Sequence, residues 1–196
     1  MNASTTHTET NFDTMIIIDA DFADRVAFDL IVNFERIINR RIPNADMARW
    51  VDCLSLDGGL TEGNHHIQVV LIHSKGKTTM DYFTPGDLET GLNGKAFRDN
   101  LGEFVLTAVS EEDIASRDDL LLDTLQLAIA DNSVNRVVVV PDEEYYSHVR
   151  SSLRHVPDDK RVTVLAMQPM PGGNFRQEIL GYSLMSALGI RGDEIQ

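Results

Sequence analysis

Two of the most apolar runs in the chain end abruptly in acid. Ile16-Ile17-Ile18 leads into Asp19-Ala20-Asp21, and Val137-Val138-Val139-Val140 leads through Pro141 into Asp142-Glu143-Glu144. If the two runs lie side by side as parallel strands, their carboxylates converge at the edge where an open α/β sheet binds its ligand. Two carboxylates about 4 Å apart repel by roughly 1 to 4 kcal/mol, so a cluster of them calls for a cation or for raised pKa values. Their hard oxygen ligands suit Mg²⁺ or Mn²⁺ over zinc. Such an ion generates a hydroxide nucleophile and stabilises the charge of a phosphoryl transition state. The candidate ligands are Asp19, Asp21, Asp142 and Glu144, joined by Asp118, Asp119 or Asp123 from a downstream helix. In the mechanism this implies, Asp19 and Asp142 hold the ion, Glu144 and Asp119 complete or orient its shell, and a bound water attacks a phosphodiester.

A plainer account competes with this one. Acidic residues in the first turn of a helix gain about 0.3 to 1 kcal/mol from the helix dipole, and Ser116 capping a helix accounts for Asp118 and Asp119 without any ligand. Asp19 and Asp142 are better candidates because each closely follows an apolar strand. His65 and His66 open a strand, where neighbouring side chains point to opposite faces, so they cannot easily chelate one ion. Gly58-Gly59 and Gly172-Gly173 lack the framing and the Lys of a phosphate loop and read as turns. Trp50, Cys53 and Tyr145 read as packing.

The elements that must position these acids follow from periodicity. Met15 to Asp19 predicts a buried strand, and Val26, Leu30, Phe34, Ile37 and Ile38 place a helix over 24–40. Pro43 and Asn44 break it before a short helix over 45–54, which Asp57-Gly58-Gly59 ends. Ile67 to His73 and Thr78 to Phe83, with Ser74-Lys75-Gly76-Lys77 between them, predict a hairpin. Residues 85–102 predict turns and one brief helix, and Phe104 to Val109 a strand. Ser110 with Asp113 and Ser116 with Asp119 both have capping-box spacing, the second opening a helix over 117–130. Arg136 to Val140 and Arg161 to Ala166 read as strands around a helix through Tyr145, Val149 and Leu153, and Phe175 to Leu188 as a last helix closed by Gly189.

With 196 residues the chain supports one sizeable core. The expectation is a flexible tail over 1–13 and a single three-layer α/β domain over 14–196, with a mainly parallel sheet of about five strands and a hairpin embellishment. Seventeen Lys and Arg against 31 Asp and Glu give a net charge of -14, which disfavours non-specific binding of polyanions. The single cysteine, Cys53, forms no internal disulfide and points to a reducing, cytoplasmic setting. No run approaches the roughly 20 apolar residues of a membrane span, and the opening residues lack the pattern of a signal peptide.

The arrangement resembles the NYN branch of the PIN-like nuclease superfamily. There an apolar strand ends in Asp, a middle helix carries acids, and a later strand ends in a Ser-Gly-Asp-x-Asp-Phe type motif. Here Ile16-Ile17-Ile18-Asp19, the run from Asp118 to Leu125, and Val140-Pro141-Asp142-Glu143-Glu144-Tyr145 match those parts, across roughly residues 15–167. The resemblance implies metal-dependent cleavage of single-stranded RNA. Ala20 and Phe22 replace the family's Gly and Asn, and Val140-Pro141 its Ser-Gly. The closing segment Leu180-Gly181-Tyr182-Ser183-Leu184-Met185 also looks like that of an uncharacterised bacterial family. Asp19-Ala20-Asp21 further resembles the first motif of haloacid-dehalogenase-like phosphatases, which implies Asp19 as nucleophile, Asp21 as general acid, Ser74 as the strand-terminal hydroxyl and a small phosphorylated substrate. Phe22, Pro141 and the net charge favour a third reading, a non-catalytic relative that binds or assembles. A homodimer is compatible with any of the three.

Overall fold

The computed structural model describes residues 11–195. Its centre is β1, Thr14–Asp19, whose β-branched Ile16, Ile17 and Ile18 are fully buried. β1 is flanked in parallel by β3 (His65–His73) and β7 (Arg136–Val140), with Ile18 in register with Leu71 on one side and Val140 on the other. The seven-stranded sheet has the order β5-β6-β3-β1-β7-β8-β9, more strands than the five expected. β6 (Gly102–Ser110), β8 (Arg161–Ala166) and β9 (Arg176–Ile179) extend it in parallel. Among the described residues of this sheet only β5 (Ala96–Arg98) runs antiparallel. A second, two-stranded sheet joins β2 (Ala45–Asp46) to β4 (Phe83–Thr84).

The strands read as continuous apolar runs because both faces are covered. Ile16, Ile18, Leu71, Val138 and Val140 pack in one core with α1 (Ala20–Ile38), α2 (Met47–Asp57) and α5 (Leu180–Ala187). Ile17, Ile72, Val137 and Val139 pack in the other with α3 (Arg117–Ala130) and α4 (Tyr146–Ser152). The expected three-layer sandwich is therefore present.

Several expectations need correction. α1 begins at Ala20 because Asp19 itself caps it, accepting the Phe22 N–H at 2.9 Å, and it ends where Asn39 turns left-handed at φ 52°. Thr78 to Phe83 is not the second arm of a hairpin. Buried Asp24 claims that segment instead, accepting Lys77 Nζ at 2.8 Å and the N–H groups of Asp81 and Tyr82 at 3.1 and 2.9 Å. The hairpin is β5–β6, where Gly102 has φ 144° and a Cβ would sit 2.2 Å from the His65 carbonyl oxygen. Residues 176–179 are strand rather than helix, since the open side of β8 offers them ladder partners, and Gly189 closes α5 as expected at φ 68°.

Ser110 caps no helix, whereas Ser116 and Asp119 form a complete capping box. Cys53 is half-buried rather than a core thiol, and the core tyrosine is Tyr146 instead of Tyr145. Residues 1–10 of the expected tail lie outside the described residues. Asp13 is anchored: its N–H and carboxylate bond the backbone of His66, and its carbonyl accepts the Asn135 N–H, which clamps the base of β1 between its neighbours. Among the described residues no helix is long and apolar enough to cross a membrane.

Candidate functional site

From β1 the chain moves outward to β3 and β6, then returns over the sheet through α3 to β7 and moves the other way. The carboxyl ends of β1 and β7 thus form a topological switch point, the place where such sheets carry their ligand crevice. Asp19 and Asp142 both lie there, 1% and 3% exposed. They are near enough for the Asp142 charge to be felt at Asp19: Asp142 and Asp21 both add to the rise of the Asp19 carboxyl.

What stands among these acids is an arginine. Arg117, the first residue of α3, places Nη1 2.7 Å from Asp19 Oδ1 and 3.5 Å from Asp21 Oδ2. A second guanidinium, Arg25 from α1, donates to Asp142 Oδ2 at 3.0 Å, and Asp142 Oδ1 accepts the Glu144 N–H. Asp21 also accepts the Ser74 N–H from the end of β3 at 3.1 Å, and Glu111 accepts the backbone N–H groups of Lys75 and Arg117. Four chain segments are therefore tied at one point.

Burial pushes the Asp19 carboxyl up from its ordinary 3.8 to about 6, outweighing the Phe22 amide and Arg117, which lower it. Burial works against the charge of Arg117, but Asp19, Asp21, Glu111 and Asp142 together hold its pKa above the ordinary value. The cluster is thus compensated from within. Beside it, a groove of about 340 Å³ runs along α1 past Phe22, Arg25 and Leu30 to Asp142 and Met167, with the Arg25 guanidinium 5.4 Å from the Phe22 ring centre.

The structure brings together Asp19, Asp21 and Asp142 of the expected set and leaves out the rest. Asp119 is exposed and spent on the Ser116 cap, and Asp123 is exposed farther along α3. Glu144 is exposed, while its neighbour Glu143 is fixed by the Met167 N–H at 2.7 Å. Asp118 pairs with His148, Nδ1 to Oδ2 at 2.7 Å. His65 and His66 face different acids, Asp13 and Glu103, as their alternation requires.

Arg117 and Arg25 were missed in the sequence, yet Arg117 left a signal. A cation at the first position of a helix is opposed by the helix dipole, so its presence there implies acidic partners waiting nearby.

An Mg²⁺ or Mn²⁺ ion at these acids would have to share the space with Arg117. A guanidinium occupies the space between the carboxylates, and among the described residues no three His, Cys, Asp or Glu side chains stand close enough to share an ion. Comparison with curated proteins and with solved structures gives no match. A family model does match, over residues 9–195, and on that extent the chain belongs to the family of unknown function DUF6621.

Proposed function

We propose that this chain is a PIN-like scaffold whose acidic centre is neutralised by its own arginines, and that it serves as a binding or assembly module rather than a hydrolase. The observation that supports this reading best is that both buried strand-end carboxylates already hold a cation, Arg117 on Asp19 and Arg25 on Asp142. An incoming ion must displace guanidiniums that are already charge-paired with buried carboxylates. The net charge of -14 also disfavours a long polyanionic substrate. Fold likeness alone assigns no activity. The lone cysteine is in keeping with a reducing compartment such as the cytoplasm.

Two hydrolytic readings keep one observation each. For the Mg²⁺- or Mn²⁺-dependent ribonuclease it is the meeting of Asp19, Asp21 and Asp142 at the switch point, with one carboxyl strongly perturbed, a pattern that clusters at functional sites. For the phosphatase it is Arg117 on Asp19 together with the Ser74 amide on Asp21, which supplies a cation beside the would-be nucleophile.

The test is direct. Wild-type protein is assayed for Mn²⁺-dependent cutting of single-stranded RNA and for hydrolysis of a small aryl phosphate, with Asp19→Asn and Asp142→Asn as controls. The module reading expects neither activity. RNA cutting lost in both variants replaces it with the nuclease, and aryl phosphate turnover blocked by a fluoride mimic of the phosphoryl group replaces it with the phosphatase.

A further inference from the structure

The chain is acidic overall, yet its charge is not evenly spread. Residues 145–177 carry five Lys and Arg against two Asp, so one stretch of a strongly negative molecule is locally positive. Two of those arginines, Arg150 and Arg154, line a cleft of about 400 Å³, well away in sequence from Asp19 and Asp21. One wall is α4 with the turn that follows it: Ser147, Arg150 and Ser151, spaced three and four apart, line the cleft from one helix face, and Arg154 joins them from the turn. The other wall is the turn Gly172-Gly173-Asn174.

That turn is held firmly in place. Tyr146 Oη donates to the Pro171 carbonyl at 3.0 Å, Arg150 Nε to the Gly172 carbonyl at 2.9 Å, and Gln177 exchanges two hydrogen bonds with the Met170 backbone at 3.1 and 3.0 Å. The chain also passes close to Phe175 there: a Cβ on Gly173 would come within 2.6 Å of that ring. Fixed in this way, the turn presents N–H groups at Gly172, Gly173 and Asn174 that make no hydrogen bond among the described residues. Arg154 likewise has no ion-pair or side-chain hydrogen-bond partner among them, and it is exposed. Asn174 is shared with a second cleft of about 460 Å³ that carries Arg161, Phe175 and Arg176.

Two guanidiniums, two hydroxyls and a braced glycine turn match the needs of one ligand group. A phosphate oxygen accepts charge-assisted bonds from arginine and neutral ones from hydroxyls and amides, and preformed donors avoid the cost of ordering them on binding. We propose that the cleft between α4 and the 172–174 turn binds a phosphate group, with Arg150 and Arg154 supplying the charge and the turn supplying backbone donors. The neighbouring cleft with Phe175, Arg161 and Arg176 is placed to take what the phosphate is attached to. This site supplies a ligand for the module reading but does not depend on it, since no part of it involves Asp19, Arg117 or a metal.

The test is calorimetric titration of the full chain with inorganic phosphate, against chloride at equal ionic strength, and in parallel with adenosine 5′-monophosphate. Phosphate binding that exceeds chloride, and that weakens about tenfold in Arg154→Gln and further in the Arg150→Gln, Arg154→Gln double variant, supports the site. Both side chains are exposed, so the thermal midpoint of each variant checks that folding is intact; Arg154→Gln leaves every bond bracing the turn in place. A nucleotide that binds more tightly than phosphate, and loses that gain in Arg161→Gln, assigns the group to a nucleotide. Equal affinity assigns it to the free ion. No phosphate binding beyond chloride, or binding unchanged in the double variant, overturns the proposal. Asp19→Asn should leave the titration unaltered, which keeps this result separate from the hydrolase assays.

Discussion

Asp19→Asn should stabilise the fold at alkaline pH while leaving it little changed in acid. In the folded chain the Asp19 carboxyl titrates at about 6, against 3.8 ordinarily, so the native state holds a proton that the unfolded state has lost across that interval. The stability associated with this group is fully present below pH 3.8 and falls as the pH rises through about 6. Converted at about 1.4 kcal/mol for each tenfold in proton affinity, the whole loss is roughly 3 kcal/mol, of which about 1.4 kcal/mol falls between pH 5 and pH 8. Asparagine has the shape of the protonated acid, keeps the cap on the Phe22 N–H and carries no charge to desolvate. The variant should therefore gain about 1.4 kcal/mol on wild type between pH 5 and pH 8, whatever its constant offset. Urea titrations followed by the fluorescence of the single, fully buried Trp50 report it, with pH 5 chosen to stay above the isoelectric point near 4.7. A difference between the two proteins that does not vary with pH, or that moves against the variant as pH rises, would refute the account of Asp19 as a strained, poorly solvated carboxylate.

Arg117→Gln removes the cation between Asp19 and Asp21, and Mn²⁺ affinity, read by calorimetry, should rise roughly tenfold or more, since a unit charge at about 4 Å is worth some 1 to 4 kcal/mol; unchanged affinity would mean that the arginine is not what fills the space. Asp24→Ala leaves Lys77 and two backbone N–H groups without their buried acceptor, and denaturant unfolding should show a loss of about 3 to 5 kcal/mol. Ser183→Ala strands the buried indole N–H of Trp50, bonded to Ser183 Oγ at 3.1 Å, and should cost about 1 to 3 kcal/mol with a shifted emission maximum.

The parallel core was legible because its strands are apolar throughout, which happens when both faces of a sheet are covered. The runs 136–140 and 161–166 and the helix 117–130 have the bounds that their patterns indicate. Local pattern failed where a distant partner decided the outcome. Arg176 to Ile179 became strand because β8 was free beside it, and Thr78 to Phe83 lost its hairpin to Asp24, more than fifty residues away in sequence. The site was half legible for the same reason. Asp19 and Asp142 follow from strand ends meeting at a switch point, which topology dictates. Arg25 and Arg117 reach them from a helix face and a helix start, and only the dipole's objection to Arg117 marked either in the sequence. For Asp119 the sequence offered both a capping box and a metal ligand, and the bonds from Ser116 make it the capping residue of α3.

The sheet's two outer margins have a bearing on how copies of this chain can meet. One margin is β5, three residues long, and the other is β9, four residues long with Arg176 and Glu178 along it. Brief, charged borders give another backbone little to add to, so growth into a continuous intermolecular sheet is disfavoured by construction. Self-association of this protein is thereby steered toward its helical faces and away from backbone pairing.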